Sequence, residues 1–179
     1  PRRGRACDRQ VSRVMKLKVG LLGGGSWGTT VASLVARNAP ALLWARDPAT
    51  VDEINSRHSN QKFLPGITLH PDLRATHDLR EASAYVDVVV VGVPSQSFRA
   101  TVEMIREHIR PWVPVISLTK GLEAGTAKRM TQIIEEVLPG HPVGVLTGPN
   151  LAREIMAGYA AASVIAMEDE IINRSLQKL

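Results

Sequence analysis

The 179-residue chain is 44% hydrophobic and 22% charged, the balance of a globular domain with a real core. Its net charge of +5 points first to an acidic partner, but Arg2, Arg3, Arg5, Arg9 and Arg13 against Asp8 place +4 of it in residues 1–14, leaving only +1 for the rest. No apolar run approaches the roughly 20 residues that a membrane span needs, and the single cysteine, Cys7, excludes an intrachain disulfide and suits a reducing, cytoplasmic setting.

The tail PRRGRACDRQVSRV lacks an apolar stretch able to act as a signal segment. It reads as a disordered arm, or as sequence upstream of a start at Met15. An arginine-rich nucleic-acid arm is the less favoured alternative. Residues 15–179 read as one domain.

That domain is organised around GLLGGGSWGTTVASLVARN, residues 20–38. Leu17, Val19, Leu21 and Leu22 form an apolar run of buried-strand type. Val31, Leu34 and Val35 then follow helical spacing, with Asn38 as the helix end and Pro40 barring continuation. Between them Gly23, Gly25 and Gly28 fit G-x-G-x-x-G at a strand-to-helix junction. In this pattern Gly23 permits a tight turn, Gly25 admits a diphosphate to the backbone, and Gly28 lets the helix pack closely on the strand. The first turn of the helix offers unpaired N–H groups and the positive end of a dipole to a phosphate. A glycine-rich turn with no ligand is the bland alternative.

Ala41 to Ala45 is the second strand, and Asp47 with Pro48 caps the helix that follows, with Val51 and Ile54 facing inward. Residues 56–72 carry Pro and Gly without a steady period. They read as a long loop anchored by Phe63 and Leu64. Thr76 precedes a short helix near 78–84 with Asp78 as cap. Val86 to Val93 is an almost unbroken β-branched run, the mark of a central parallel strand covered on both faces. A helix with Phe98, Val102, Ile105 and Ile109 on one face follows. A strand over Val113 to Leu118 comes next, then the loop Thr119-Lys120-Gly121-Leu122-Glu123. Thr126 is read as the cap of a helix facing inward with Met130, Ile133, Ile134 and Val137. A strand over Pro142 to Leu146, a helix from about Leu151, a strand near Ala161 to Met167 and a final helix end the pattern.

Strands alternating with helices imply right-handed crossovers and a doubly wound, mostly parallel α/β sheet of Rossmann type. Ligands of such sheets bind at the carboxyl ends of the strands. The candidates are therefore Gly23 to Gly28, Arg46-Asp47, Val93-Pro94-Ser95, Thr119-Lys120-Gly121 and Gly148-Pro149-Asn150. At the end of the second strand an acid favours the ribose of NAD and an arginine the 2′-phosphate of NADP. Arg46 and Asp47 stand side by side there, and with Asp47 used as a cap the reading leans to NADP, with NAD also open. Lys120, after VPVISL, is placed to bind a substrate oxygen or phosphate, although a solvated loop lysine fits its spacing equally. His58, His70, His77, His108 and His141 show no metal-ligand spacing, and no metal is expected. Ser26 does not sit in the context of a nucleophile elbow.

GLLGGGSWGTT, LLWARDP, FLPGI, VVVVGVPSQ, ISLTKGLE and LTGPNLAREI occur in this order between about Leu17 and Met167. Together they closely resemble the bacterial NAD(P)-dependent glycerol-3-phosphate dehydrogenases. The resemblance implies reversible hydride transfer between dihydroxyacetone phosphate and sn-glycerol 3-phosphate, the backbone of membrane phospholipids. It implies cofactor contacts from Ser26, Trp27, Arg46, Phe63 and Ala152, beside the glycines and Pro94. Lys120 is implied to touch both cofactor and substrate, and Gly148 and Asn150 to line the substrate site. Asn150 departs from the Ser or Thr of many members but keeps hydrogen-bonding capacity. Asn38-Ala39-Pro40 departs at a turn away from the ligand. The family also has a C-terminal helical domain, absent from these residues, which supplies the general acid/base lysine and the phosphate-holding arginine and asparagine. A homodimer would form through that domain, and the chain alone is expected to bind nucleotide weakly and turn over little. The alternatives are another reductase of the same superfamily, against which SLTKGLE and LTGPN argue, and a non-catalytic NAD(P)-binding module.

Overall fold

The computed structural model describes residues 17–179, so the arginine-rich tail, Cys7 and Met15 lie outside the described residues. Seven strands form one sheet in the order β3-β2-β1-β4-β5-β6-β7. They are β1 (Val19–Leu22), β2 (Ala41–Trp44), β3 (Arg74–Thr76), β4 (Val88–Val91), β5 (Val115–Ser117), β6 (Val143–Thr147) and β7 (Val164–Met167). β1 pairs in parallel register with β2 on one side (Leu22 opposite Trp44) and with β4 on the other (Leu22 opposite Val91). The strand order reverses at this point, so the crevice above β1 and β4 is where a doubly wound sheet takes a ligand.

Seven helices alternate with the strands: α1 (Ser26–Val35), α2 (Pro48–Arg57), α3 (Leu79–Ala84), α4 (Ser95–Ile105), α5 (Met130–Val137), α6 (Ala152–Met156) and α7 (Glu170–Leu176). Side chains alternate across a strand, and β4 shows the result. Val88 and Val90 join the core under α1 and α2, whereas Val89 and Val91 join the core under α3, α4 and α5. Burial on both faces is why the run reads as continuously apolar.

The Asp47 and Asp78 caps are present, each side chain accepting a backbone N–H from two residues onward. Leu64 is fully buried and anchors the long loop. Phe63 does not: it is 42% exposed, because its ring lies in the cleft described below. Other expectations are corrected. α1 ends at Val35, ahead of Asn38. Thr126 does not cap α5, whose cap position is Arg129; its hydroxyl instead donates to the Glu123 carboxylate. Arg74 to Thr76 adds an edge strand beside β2 that the sequence pattern did not reveal. β7 runs antiparallel to β6, with Thr147 opposite Val164, so α6 is part of a return along the sheet rather than a crossover. Among the described residues no helix is long and apolar enough to cross a membrane.

Candidate dinucleotide site

The turn from β1 into α1 closes by backbone contact. Gly23 donates its N–H to the Trp44 carbonyl of β2 (3.0 Å), and Gly92 donates to the Leu22 carbonyl (2.8 Å), so the loops after β1 and β4 lie against each other. Gly23 has φ +125°, a left-handed conformation natural to glycine, and a Cβ on it would collide with the Gly92 carbonyl. A Cβ on Gly28 would collide with the Gly23 carbonyl oxygen. A Cβ on Gly25 would meet nothing within 4 Å. The first two glycines therefore serve packing, and the third faces open space.

Gly25 is the N-terminal cap position of α1, with no side-chain cap, and its carbonyl accepts from Thr29 at 2.9 Å. The opening N–H groups of α1 are left without a capping side chain, which is the arrangement that receives a phosphate.

Two clefts adjoin over this turn. The first, 610 Å³, runs from Gly23-Gly24-Gly25 to Arg46, Asp47, Lys62 and Phe63. The second, 440 Å³, runs from Ser26 and Trp27 to Thr119, Lys120 and Asn150. Gly25, Phe63, Gly92, Val93 and Pro94 line both, so they form one furrow along the carboxyl edge of the sheet. A long ligand laid in it would cross the glycine turn at its middle.

Lys120 is exposed in the second cleft and donates to the Gly148 carbonyl (Nζ–O 3.1 Å), bringing the loops after β5 and β6 together. Gly148 has φ +154°, and a Cβ there would stand 2.5 Å from the Ala162 carbonyl. Asn150 donates through Nδ2 to Ser163 Oγ (2.8 Å), while its buried Oδ1 has no partner among the described residues. Thr119 fixes the other side of the loop, donating its hydroxyl to the Val93 carbonyl (2.6 Å). The expected residues thus converge, with three qualifications. Gly148 lines neither cleft and meets the second only through its carbonyl contact with Lys120. Gly28 lies under the turn rather than in the furrow. Ala152, at the start of α6, packs against the core beneath α1 and lines neither cleft.

Residues that sequence reasoning missed hold this arrangement in place. Asn60 is fully buried, and its Nδ2 donates to both the Gly24 carbonyl and Thr29 Oγ1, each at 3.0 Å. It ties the glycine turn to α1 from the middle of the long loop. Its own carbonyl accepts from Phe63 and Leu64, shaping the turn that presents Phe63. Arg99 of α4 makes a two-pronged pair with Glu123 (2.7 and 3.0 Å) and reaches Glu136 of α5 (3.1 Å). This pair pins the loop that carries Lys120. The Arg99 guanidinium, then the Thr126 hydroxyl, hold the Glu123 carboxyl down at about 2, and the Arg99 pKa is raised in return. Neither contact leaves a local signal, since the partners are 36 and 24 positions apart.

Residues 18–172 match the profile of the family described as NAD-dependent glycerol-3-phosphate dehydrogenase N-terminus. A glycerol-3-phosphate dehydrogenase [NAD(P)+] of Sphingopyxis alaskensis is 70% identical over 165 residues, which are 92% of this chain and 50% of that protein. One from Mycobacterium avium is 55% identical over 90% of this chain and 48% of its own length. The crystal structure of a glycerol-3-phosphate dehydrogenase from Coxiella burnetii superposes with a TM-score of 0.85 at 28% identity, over 92% of this chain and 51% of that one. The chain spans about half the length of the curated relatives it matches. By the extent of that match, the chain belongs to the NAD-dependent glycerol-3-phosphate dehydrogenase N-terminal family.

Proposed function

We propose that this chain is the cofactor-binding part of an NAD(P)-dependent dehydrogenase that interconverts dihydroxyacetone phosphate and sn-glycerol 3-phosphate, in the cytoplasm and in the service of glycerophospholipid synthesis. One observation carries the reading: the furrow joins an uncapped helix start at Gly25 to an exposed lysine at the end of β5. The first is a seat for a diphosphate and the second a cation for a phosphorylated or carbonyl-bearing substrate. The names of the relatives support the substrate assignment.

The residues fit a nicotinamide dinucleotide. Gly25 and the start of α1 would hold the diphosphate, Arg46 the adenosine end, and Trp27, Pro94 and Lys120 would border the nicotinamide end. When bound, the nicotinamide supplies or accepts the hydride. The chain's own residues do the rest. Lys120, steadied on the Gly148 carbonyl, orients the substrate and offsets negative charge growing on its oxygen. Asn150 lines the cleft beside it, and Gly148 anchors the ammonium through its carbonyl.

Carbonyl reduction also needs a proton donor. The family resemblance assigns that lysine to a domain beyond these residues, so the chain alone should bind the cofactor and turn over little. The test is NADPH titration followed by steady-state NADPH oxidation with dihydroxyacetone phosphate. Binding with negligible turnover is expected. Robust turnover would refute the division of labour, and failure to bind would refute the cofactor assignment.

A further inference from the structure

We propose that Lys62, acting with Arg46, selects a 2′-phosphorylated adenine dinucleotide over its unphosphorylated counterpart; this rests on the cofactor-binding role proposed above. Three observations at the outer end of the furrow carry it. The first concerns the acid. Asp47 is the one carboxylate lining this cleft among the described residues, and a ribose 2′-OH would need it. It is already engaged. Oδ1 accepts the Ala49 N–H (3.1 Å) as the cap of α2, and Oδ2 accepts from the Thr50 hydroxyl (3.4 Å).

The second concerns the cation. Lys62 Nζ lies 3.7 Å from the same Asp47 Oδ2, and 5.5 Å from the centre of the Phe63 ring. The carboxylate and the ring draw the ammonium to the mouth of the cleft, where it further masks the acid. The pair is solvent-exposed, with side chains 63% and 48% accessible. Such pairs are held weakly, so a dianionic phosphate can recruit the ammonium at small cost.

The third concerns origin. Arg46 comes from the end of β2, and Lys62 from the long loop two residues after Asn60. Asn60 fixes that loop to the glycine turn, so the two cations reach one rim from separate segments, with position set by the seat itself. An arginine and a lysine converging beside a masked carboxylate make a site for added negative charge, not for a neutral hydroxyl.

The experiment is a fluorescence titration of the 179-residue chain with NADPH and with NADH, in the wild type and in Lys62→Met, Lys62→Glu and Arg46→Met. The readout is the ratio of the two dissociation constants. The wild type should prefer NADPH. Lys62→Met should cut the preference roughly tenfold, the usual weight of one charge-assisted contact, and Lys62→Glu should cut it further. Added salt should weaken NADPH more steeply than NADH. Because Lys62 is exposed, melting temperatures should stay close to wild type, separating selection from folding. Binding of both cofactors with equal strength, or a ratio indifferent to Lys62, would overturn the selection while leaving the dinucleotide seat intact. Binding of neither would overturn both.

Discussion

The two ends of the sheet are built differently. Around β1 and β4 every strand residue is buried, helices cover both faces, and the glycine turn is closed by backbone hydrogen bonds from two neighbouring strands. Around β6 and β7 the strands are only partly covered, α6 has no buried residue, and Leu151, Tyr159, Val164 and Ile171 are all more than half exposed. Yet Gly148 and Asn150, the candidate substrate residues, sit at that second end. The contrast separates two tasks. The proposed dinucleotide seat is finished by its own core, whereas the proposed substrate side is held by a few loop contacts such as Lys120 to Gly148.

The largest effect should come from breaking the finished end. Phe98 is fully buried among Val102, Ile105 and the β4 residues Val89 and Val91, and Phe98→Ala should cost about 3–5 kcal/mol in chemical denaturation. At the open end, Gly148→Ala should cost about 1–3 kcal/mol, because a left-handed residue gains a Cβ 2.5 Å from the Ala162 carbonyl. The same change should shift Lys120 and Asn150 signals in NMR spectra while leaving those of the glycine turn in place.

Glu123 joins the ends, since it pins the Lys120 loop to α4. Its carboxyl is held at about 2, below its ordinary value. A lowered carboxyl contributes stability that is present above the unfolded-state pKa and is lost as pH falls through the folded one. Wild type and Glu123→Gln should therefore differ near neutral pH. In thermal melts the gap should narrow as pH drops from about 4.5 toward 2. A gap independent of pH would break the link. The smallest effect belongs to the exposed edge: Val164→Thr should alter stability by no more than about 0.5 kcal/mol, in sharp contrast to Phe98→Ala.

This contrast also explains what could be read from the sequence. β1, β4 and the glycine junction were legible because burial on both faces writes an unbroken apolar run, and because only glycine fits where Gly23 and Gly28 meet backbone. The second strand ended in a cap that Asp47-Pro48 announced. β3 was not legible, since three residues on a sheet edge leave no period to detect. The direction of β7 was not either, because the two-residue period of a strand is the same in both senses. Within the site, Gly25, Arg46 and Lys120 followed from the rule that parallel strands present ligands at their carboxyl ends. Asn60 and the Arg99–Glu123 pair did not, since each acts only through a partner brought near by folding. Phe63, expected to anchor the long loop and by resemblance to border the cofactor, walls the furrow rather than packing into the core.

The most direct test of the central claim is an amide NMR titration of the chain with NADPH. The account predicts that the largest shifts fall on Gly25, Ser26 and Trp27, with a second set on the loop around Lys120. Shifts confined to another surface, or none at saturating cofactor, would contradict it.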